Sequence, residues 1–139
     1  MSKRDLTLYI VDIFIAFNKI ERYTKDFQDG EDLLYSELHW DGTIRELEII
    51  GEATNYLLKA EIIDRKYRRI VDFRNQIIHG YFGIDEEIVF DVAKNRLPEY
   101  IDDLKSVVLD KNINLSSAIE SAKLENFRNG NILKLLDSL

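Results

Sequence analysis

Apolar residues recur along most of this chain at the three- and four-residue spacing that lines one face of a helix. Over residues 4–24, Leu6, Tyr9, Ile10, Ile13, Phe14, Phe17 and Ile20 form a broad stripe, with Lys19, Glu21 and Arg22 outside it. That pattern predicts a first helix with an aromatic-rich core face. Asp29-Gly30 reads as a turn or helix stop. Residues 31–38 give one or two helical turns. His39-Trp40-Asp41-Gly42 then either interrupts the helix or lies within one long helix that tolerates Gly42, with Trp40 packed. Thr43-Ile44-Arg45-Glu46 has capping-box spacing, so a helix is expected over 43–60 with Thr43 as its cap. Ile44, Leu47, Ile50, Leu57 and Leu58 point inward on it, Gly51 and Ala53 permit close helix approach, and Glu48 and Glu52 face solvent.

The next stretch, from Arg68, carries its stripe on Ile70, Phe73, Ile77 and Ile78, and Gly80 and Gly83 mark its end. Asp85 is a natural N-cap, with Glu86 and Glu87 at the positive end of the helix dipole. Ile88, Val89, Val92 and Ala93 continue the pattern. Pro98 either kinks this helix or begins a new one after Asn95, and Tyr100, Ile101, Leu104, Val107 and Val108 carry it to about Leu109. After a polar break at 110–114, residues 115–128 suggest a short helix ended by Asn129-Gly130, and 132–136 a final turn or two. Ile119, Leu124, Phe127 and the terminal leucines imply that this tail packs on its own bundle or on a partner subunit. The whole predicts an all-α fold: an up-and-down antiparallel bundle of four or five main helices over 1–109, with a C-terminal helical extension over 110–139.

A chain of 139 residues, 45% hydrophobic and 32% charged, has enough material for one core in a single soluble domain. The absence of cysteine excludes disulfides, a thiol nucleophile and thiolate metal sites, and two histidines are too few for a histidine-rich metal site. No segment has the apolar run of a signal peptide or membrane span, so the cytoplasm is the expected compartment. A net charge of −7 argues against broad non-specific nucleic-acid binding. The exception is local: Arg65, Lys66, Arg68, Arg69 and Arg74 stand against Asp72 alone over residues 65–74. A focused phosphate contact fits there, although Lys66 and Arg68 individually read as a solvated helix face.

That basic turn runs into an unusual polar group: Arg74, Asn75, His79 and Tyr81. Asn75 and His79 lie one turn apart on one face, with Arg74 and Tyr81 beside them. Histidine moves protons near neutral pH, and the planar arginine fork matches phosphate oxygens and a developing phosphorane. Asn75 can hold the imidazole in one tautomer or bind a backbone group, and Tyr81 can donate a hydrogen bond or stack on a base. His39 has no companions and is given no catalytic role. With no cluster of metal ligands beside these residues, the simplest chemistry is metal-free RNA cleavage through the 2′-hydroxyl, with no cofactor.

Arg74-Asn75-Gln76-Ile77-Ile78-His79-Gly80-Tyr81 resembles the R-N-x-x-x-H-x-Y signature of the HEPN superfamily. Phe82-Gly83-Ile84-Asp85, Leu97-Pro98 and the segment Arg45–Ala53 resemble its HepT-like toxin branch, and the likeness covers roughly residues 4–108. The resemblance implies a homodimer whose motif helices face each other across a two-fold axis, with Arg74 and His79 as catalytic residues. Asn75, Tyr81 and Arg69 become supporting, RNA-binding candidates. It also implies a nucleotidyltransferase antitoxin that silences the ribonuclease by transferring AMP to Tyr81. The alternative is a non-catalytic helical module that binds a nucleotide or a partner. A third reading is an adaptor acting through its C-terminal tail.

Overall fold

The computed structural model describes residues 5–80 and 83–139, and all its regular structure is helical; no strand occurs among the described residues. Two long helices form the frame: α1 (Leu6–Thr24) and α3 (Glu37–Lys59), linked through the short α2 (Gly30–Leu34). They run antiparallel, since Tyr9 stacks on Tyr56 at 4.4 Å while Tyr23, at the other end of α1, lies against Gly42 near the start of α3. A side chain at position 42 would meet the Tyr23 ring at 3.0 Å. The third layer is α4 (Arg68–Ile78), entered through a 3₁₀ turn at Arg65–Tyr67. The fourth is a nearly continuous ribbon of α5 (Glu86–Asp91), a π-helical turn (Val92–Arg96) and α6 (Leu97–Asp110).

The core gathers Ile10, Ile13, Phe14 and Ile20 from α1, Ile50 and Leu57 from α3, and Leu97, Tyr100 and Leu104 from α6, all essentially inaccessible. The hydroxyl of Tyr100, deep in this core, is satisfied by Thr54 at 2.9 Å. Burial raises the Tyr100 pKa well above the ordinary phenol range. Pro98 begins α6 rather than kinking it. Its missing N–H and its ring would disturb the preceding turn, and the wider π turn, closed by Leu97 N–H to the Val92 carbonyl, accommodates both.

Several local signals resolve differently from the sequence reading. Thr43 is no N-cap: α3 starts six residues earlier, and Thr43 is buried in its interior. Trp40 packs on the core and Gly42 fits beneath Tyr23, so nothing interrupts the helix there. Asp29-Gly30 starts α2 instead of stopping a helix, with Asp29 accepting from Asp32 N–H at 2.8 Å. Asn129-Gly130 likewise opens a helix, α8 (Gly130–Ser138), after α7 (Ser116–Glu125). Asx side chains cap N-termini as readily as they make turns, so the same letters serve both uses. On α4, Ile77 is buried and Ile70 and Phe73 pack on the core as the stripe predicts, but Ile78 is 45% exposed and Val71, outside the stripe, is buried.

The C-terminal helices fold back onto α1. Ala118, Ala122, Ile132 and Leu136 enclose Val11, on the side of α1 away from the main core. Leu124 and Phe127 do not pack on this bundle and are exposed, whereas Ile119 packs beside Ala118 and Ala122. No helix among the described residues is long and apolar enough to cross a membrane.

Candidate active site on helix α4

Arg69, Arg74 and Asn75 stand on one helix, α4, and His79 caps it. Tyr67 precedes α4, buried against Tyr100 and donating its hydroxyl to Asp103, while Lys66 lies 3.6 Å from the same carboxylate. Burial, reinforced by the Asp103 carboxylate, raises the Tyr67 pKa far above its ordinary value. This anchor leaves α4 to run along α3. In their contact Gly51 faces Arg74: any β-carbon at position 51 would overlap the Arg74 side chain at 2.2 Å. Glycine is required there by proximity, not by backbone angle.

Arg74 lies half-buried in that seat. Its Nη1 donates to Asn75 Oδ1 at 3.1 Å, while its Nε is buried with no hydrogen-bond acceptor among the described residues. The Asn75 side chain therefore orients the guanidinium, an i,i+1 pairing that the helical face shared with His79 did not foretell. The Asn75 carbonyl accepts from His79 N–H at 3.1 Å, closing the last turn. His79 is the C-cap and is exposed; Gly80 follows at φ +61°, a left-handed residue that ends the helix as its glycine implied. Tyr81, the expected acceptor of AMP and RNA contact, lies outside the described residues.

The basic turn divides into two sets. Arg68 pairs with Asp72 at 3.8 Å across one helical turn, and Lys66 with Asp103. Arg69 and Arg74 instead line a groove of about 340 Å³ between α4 and the α5–α6 ribbon. Sequence reasoning had passed over the opposite wall. There Asp91 holds Arg96 at 3.3 Å and accepts from Asn95 at 2.7 Å, bonds that lower the Asp91 pKa, the Asn95 bond most. The i,i+4 and i,i+5 spacing of Asp91, Asn95 and Arg96 was the available signal. Glu48 is half-buried and Glu52 exposed, and among the described residues neither makes a hydrogen bond or ion pair with Arg74. Among the described residues no group of three or more His, Cys, Asp or Glu is arranged to hold a metal ion.

A compact helical bundle presenting an arginine and a histidine on the last turns of one helix has the make-up of an RNA-cleaving HEPN-type protein. The HepT-like ribonuclease family model matches residues 13–107, and the chain belongs to that family. Relatives include "Putative RNase MJ1380" of Methanocaldococcus jannaschii, 33% identical over 102 residues, 71% of this chain and 93% of that one. "Putative RNase MJ0125" of the same organism is 32% identical over 115 residues, 79% of this chain and 97% of its own. "Probable ribonuclease HepT" of Thermococcus cleftensis is 33% identical over 102 residues, 69% and 89% of the two chains. No solved structure matches.

Proposed function

We propose that this chain is the endoribonuclease toxin of a toxin–antitoxin pair, cleaving RNA through its own 2′-hydroxyl at a site built from two copies of α4. The observation that carries the reading is the Arg74 guanidinium, oriented by Asn75 over Gly51, on the helix that His79 caps. In a two-fold dimer the paired helices supply two imidazoles to one phosphodiester. One His79 removes the 2′-hydroxyl proton as that oxygen attacks phosphorus. The His79 of the second copy protonates the departing 5′-oxygen. Arg74 neutralises the charge that builds on the non-bridging oxygens. The products are a 2′,3′-cyclic phosphate and a 5′-hydroxyl, and the step uses no metal. Arg69, Asn75 and Tyr81 hold the RNA and the arginine in place.

Silencing follows from the same chemistry. A nucleotidyltransferase antitoxin that transfers AMP to Tyr81 would place bulk and negative charge beside His79, two residues away in sequence. Both proteins then act in the cytoplasm.

The test is inducible expression of the chain alone beside His79→Ala, following growth and total RNA. The parent arrests growth and leaves cyclic-phosphate ends in EDTA, and His79→Ala does neither. If both are harmless while both fold, the nuclease reading fails. Mass spectrometry after co-expression with a nucleotidyltransferase antitoxin tests the modification, which fails if AMP lands elsewhere or nowhere.

A further inference from the structure

The groove beside Arg74 is larger than a phosphate requires. Its 340 Å³ lies at the lower end of the range for small-molecule sites. One wall carries Phe73 and Ile70 from α4, and the other carries Ile88 and Val92 from the α5–π ribbon. Ile88 is 55% exposed, although its neighbour Val89 is fully buried, so a large apolar side chain is presented to this opening. The rim is cationic. Arg69, Arg74 and Arg96 stand around it with Asp91 as the carboxylate, in a chain of net charge −7. Arg96 is engaged by Asp91, Arg69 makes no ion pair among the described residues, and Arg74 keeps a buried Nε without an acceptor. Apolar walls for a flat ring under unspent guanidinium donors match a nucleotide: a base to be sandwiched and a phosphate to be held.

We infer that this groove is a binding subsite for one nucleotide, its base between Phe73 and Ile88 and its phosphate on Arg69 and Arg74. Resting on the ribonuclease reading, it takes the nucleotide that flanks the scissile phosphate, so it sets which base is preferred beside the cut. The competing occupant of an exposed isoleucine is a second copy of this chain, and charge separates the two. In the two-fold pairing of α4 this three-arginine rim meets its own copy, like charge beside like, so the second copy leaves the groove to a ligand, and a nucleotide is complementary to both of its features.

The experiment uses the full chain carrying His79→Ala, so that nothing is cleaved, and titrates it with adenosine 3′-monophosphate by calorimetry at low salt. The background is compared with the same chain carrying Ile88→Glu, Arg69→Gln, or Leu124→Glu as an exposed apolar control on α7. The nucleotide binds the background and the Leu124→Glu chain alike. Ile88→Glu and Arg69→Gln each weaken it about tenfold, the range expected when one stacked base or one phosphate contact is lost. Inorganic phosphate binds far more weakly than the nucleotide. Equal affinity in all four chains overturns the inference, as does phosphate binding as tightly as the nucleotide. A halving of molecular mass by Ile88→Glu with unchanged affinity also overturns it, assigning the face to a second copy. Cleavage of RNA by the parent, measured separately, keeps the two readings apart. An inactive parent that still yields a groove-dependent nucleotide complex sinks the nuclease alone, and an active parent with no such complex sinks the subsite alone.

Discussion

Gly51 and Arg74 occupy what is nearly one position in space. A β-carbon on Gly51 would lie 2.2 Å from Arg74 Cβ and 2.5 Å from its Cγ. The contact falls at the root of the arginine, where the side chain cannot swing aside, so Gly51→Ala must push α4 away from α3. Overpacking of this kind costs about 1–3 kcal/mol, against roughly 1 kcal/mol gained because alanine favours a helix over glycine. The expected result is a net loss near 1 kcal/mol, roughly a 4 °C fall in Tm for a chain of this size. RNA cleavage well below Tm should fall further than the stability loss explains, since the displaced group is the guanidinium. Unchanged Tm and unchanged cleavage would refute the seating of Arg74 on Gly51.

That relationship shows which parts of the molecule were legible in the sequence. The close approach at Gly51 was readable as a small residue on an apolar helix face, but its counterpart, 23 positions further on, was not. Apolar spacing identified α1, α4 and α6 because each buries one continuous stripe, as Ile10, Ile13 and Ile20 do. It failed where a polar residue serves tertiary packing. Thr43 resembles a cap only until Trp40 and Gly42 are seen against the core and Tyr23. At the candidate site, Arg74, Asn75 and His79 were legible as a cluster because helix geometry is local. The groove was not, because its second wall comes from Ile88, Val92 and Arg96, which only the fold brings opposite α4.

The α2–α5 junction is another contact between distant segments, and it predicts an order of severity. Glu87 accepts from Gly30 N–H at 2.7 Å and from Glu31 N–H at 3.0 Å, satisfying two donors that the start of α2 would otherwise leave open. Glu87→Ala removes both bonds and should cost about 1–2 kcal/mol, the usual worth of a strong cap. Gly30→Ala should be worse, because its β-carbon would stand 2.2 Å from the Glu86 carbonyl oxygen, a backbone atom that cannot move aside. Chemical denaturation of both variants checks the ranking; a milder Gly30→Ala would disprove the close packing of α2 on α5.

Glu46 predicts a pH dependence. It is buried on α3 with Lys19 Nζ 4.0 Å away, and burial raises its pKa despite that cation. A carboxyl whose pKa is higher in the folded state binds its proton more tightly there than in the unfolded chain. Its ionisation therefore costs stability as pH rises from the unfolded value near 4.5 through the folded one, and below that window the cost is absent. Glu46→Gln keeps the shape and removes the charge. Thermal unfolding should show it more stable than the parent at pH 7, with the advantage shrinking towards pH 4. A variant less stable at pH 7 would mean that the Lys19 pair outweighs desolvation.

The chemistry of Arg74 is best tested by a change that keeps its charge and its packing. Arg74→Lys retains an aliphatic stem to lie over Gly51 and a cation in the same region. It loses the Nη1 bond to Asn75 and the fork that grips two phosphate oxygens at once. If the arginine acts on charge developing in the transition state, kcat should fall by roughly 10²–10³, the usual loss for one such donor, with a smaller change in KM and an unaltered Tm. Asn75→Ala, which frees the guanidinium without removing it, should fall between Arg74→Lys and the parent. Single-turnover cleavage of a defined RNA separates these outcomes. A lysine variant with near-parent kcat would show that the site uses only a positive charge, and the positioning role given to Asn75 would fall with it.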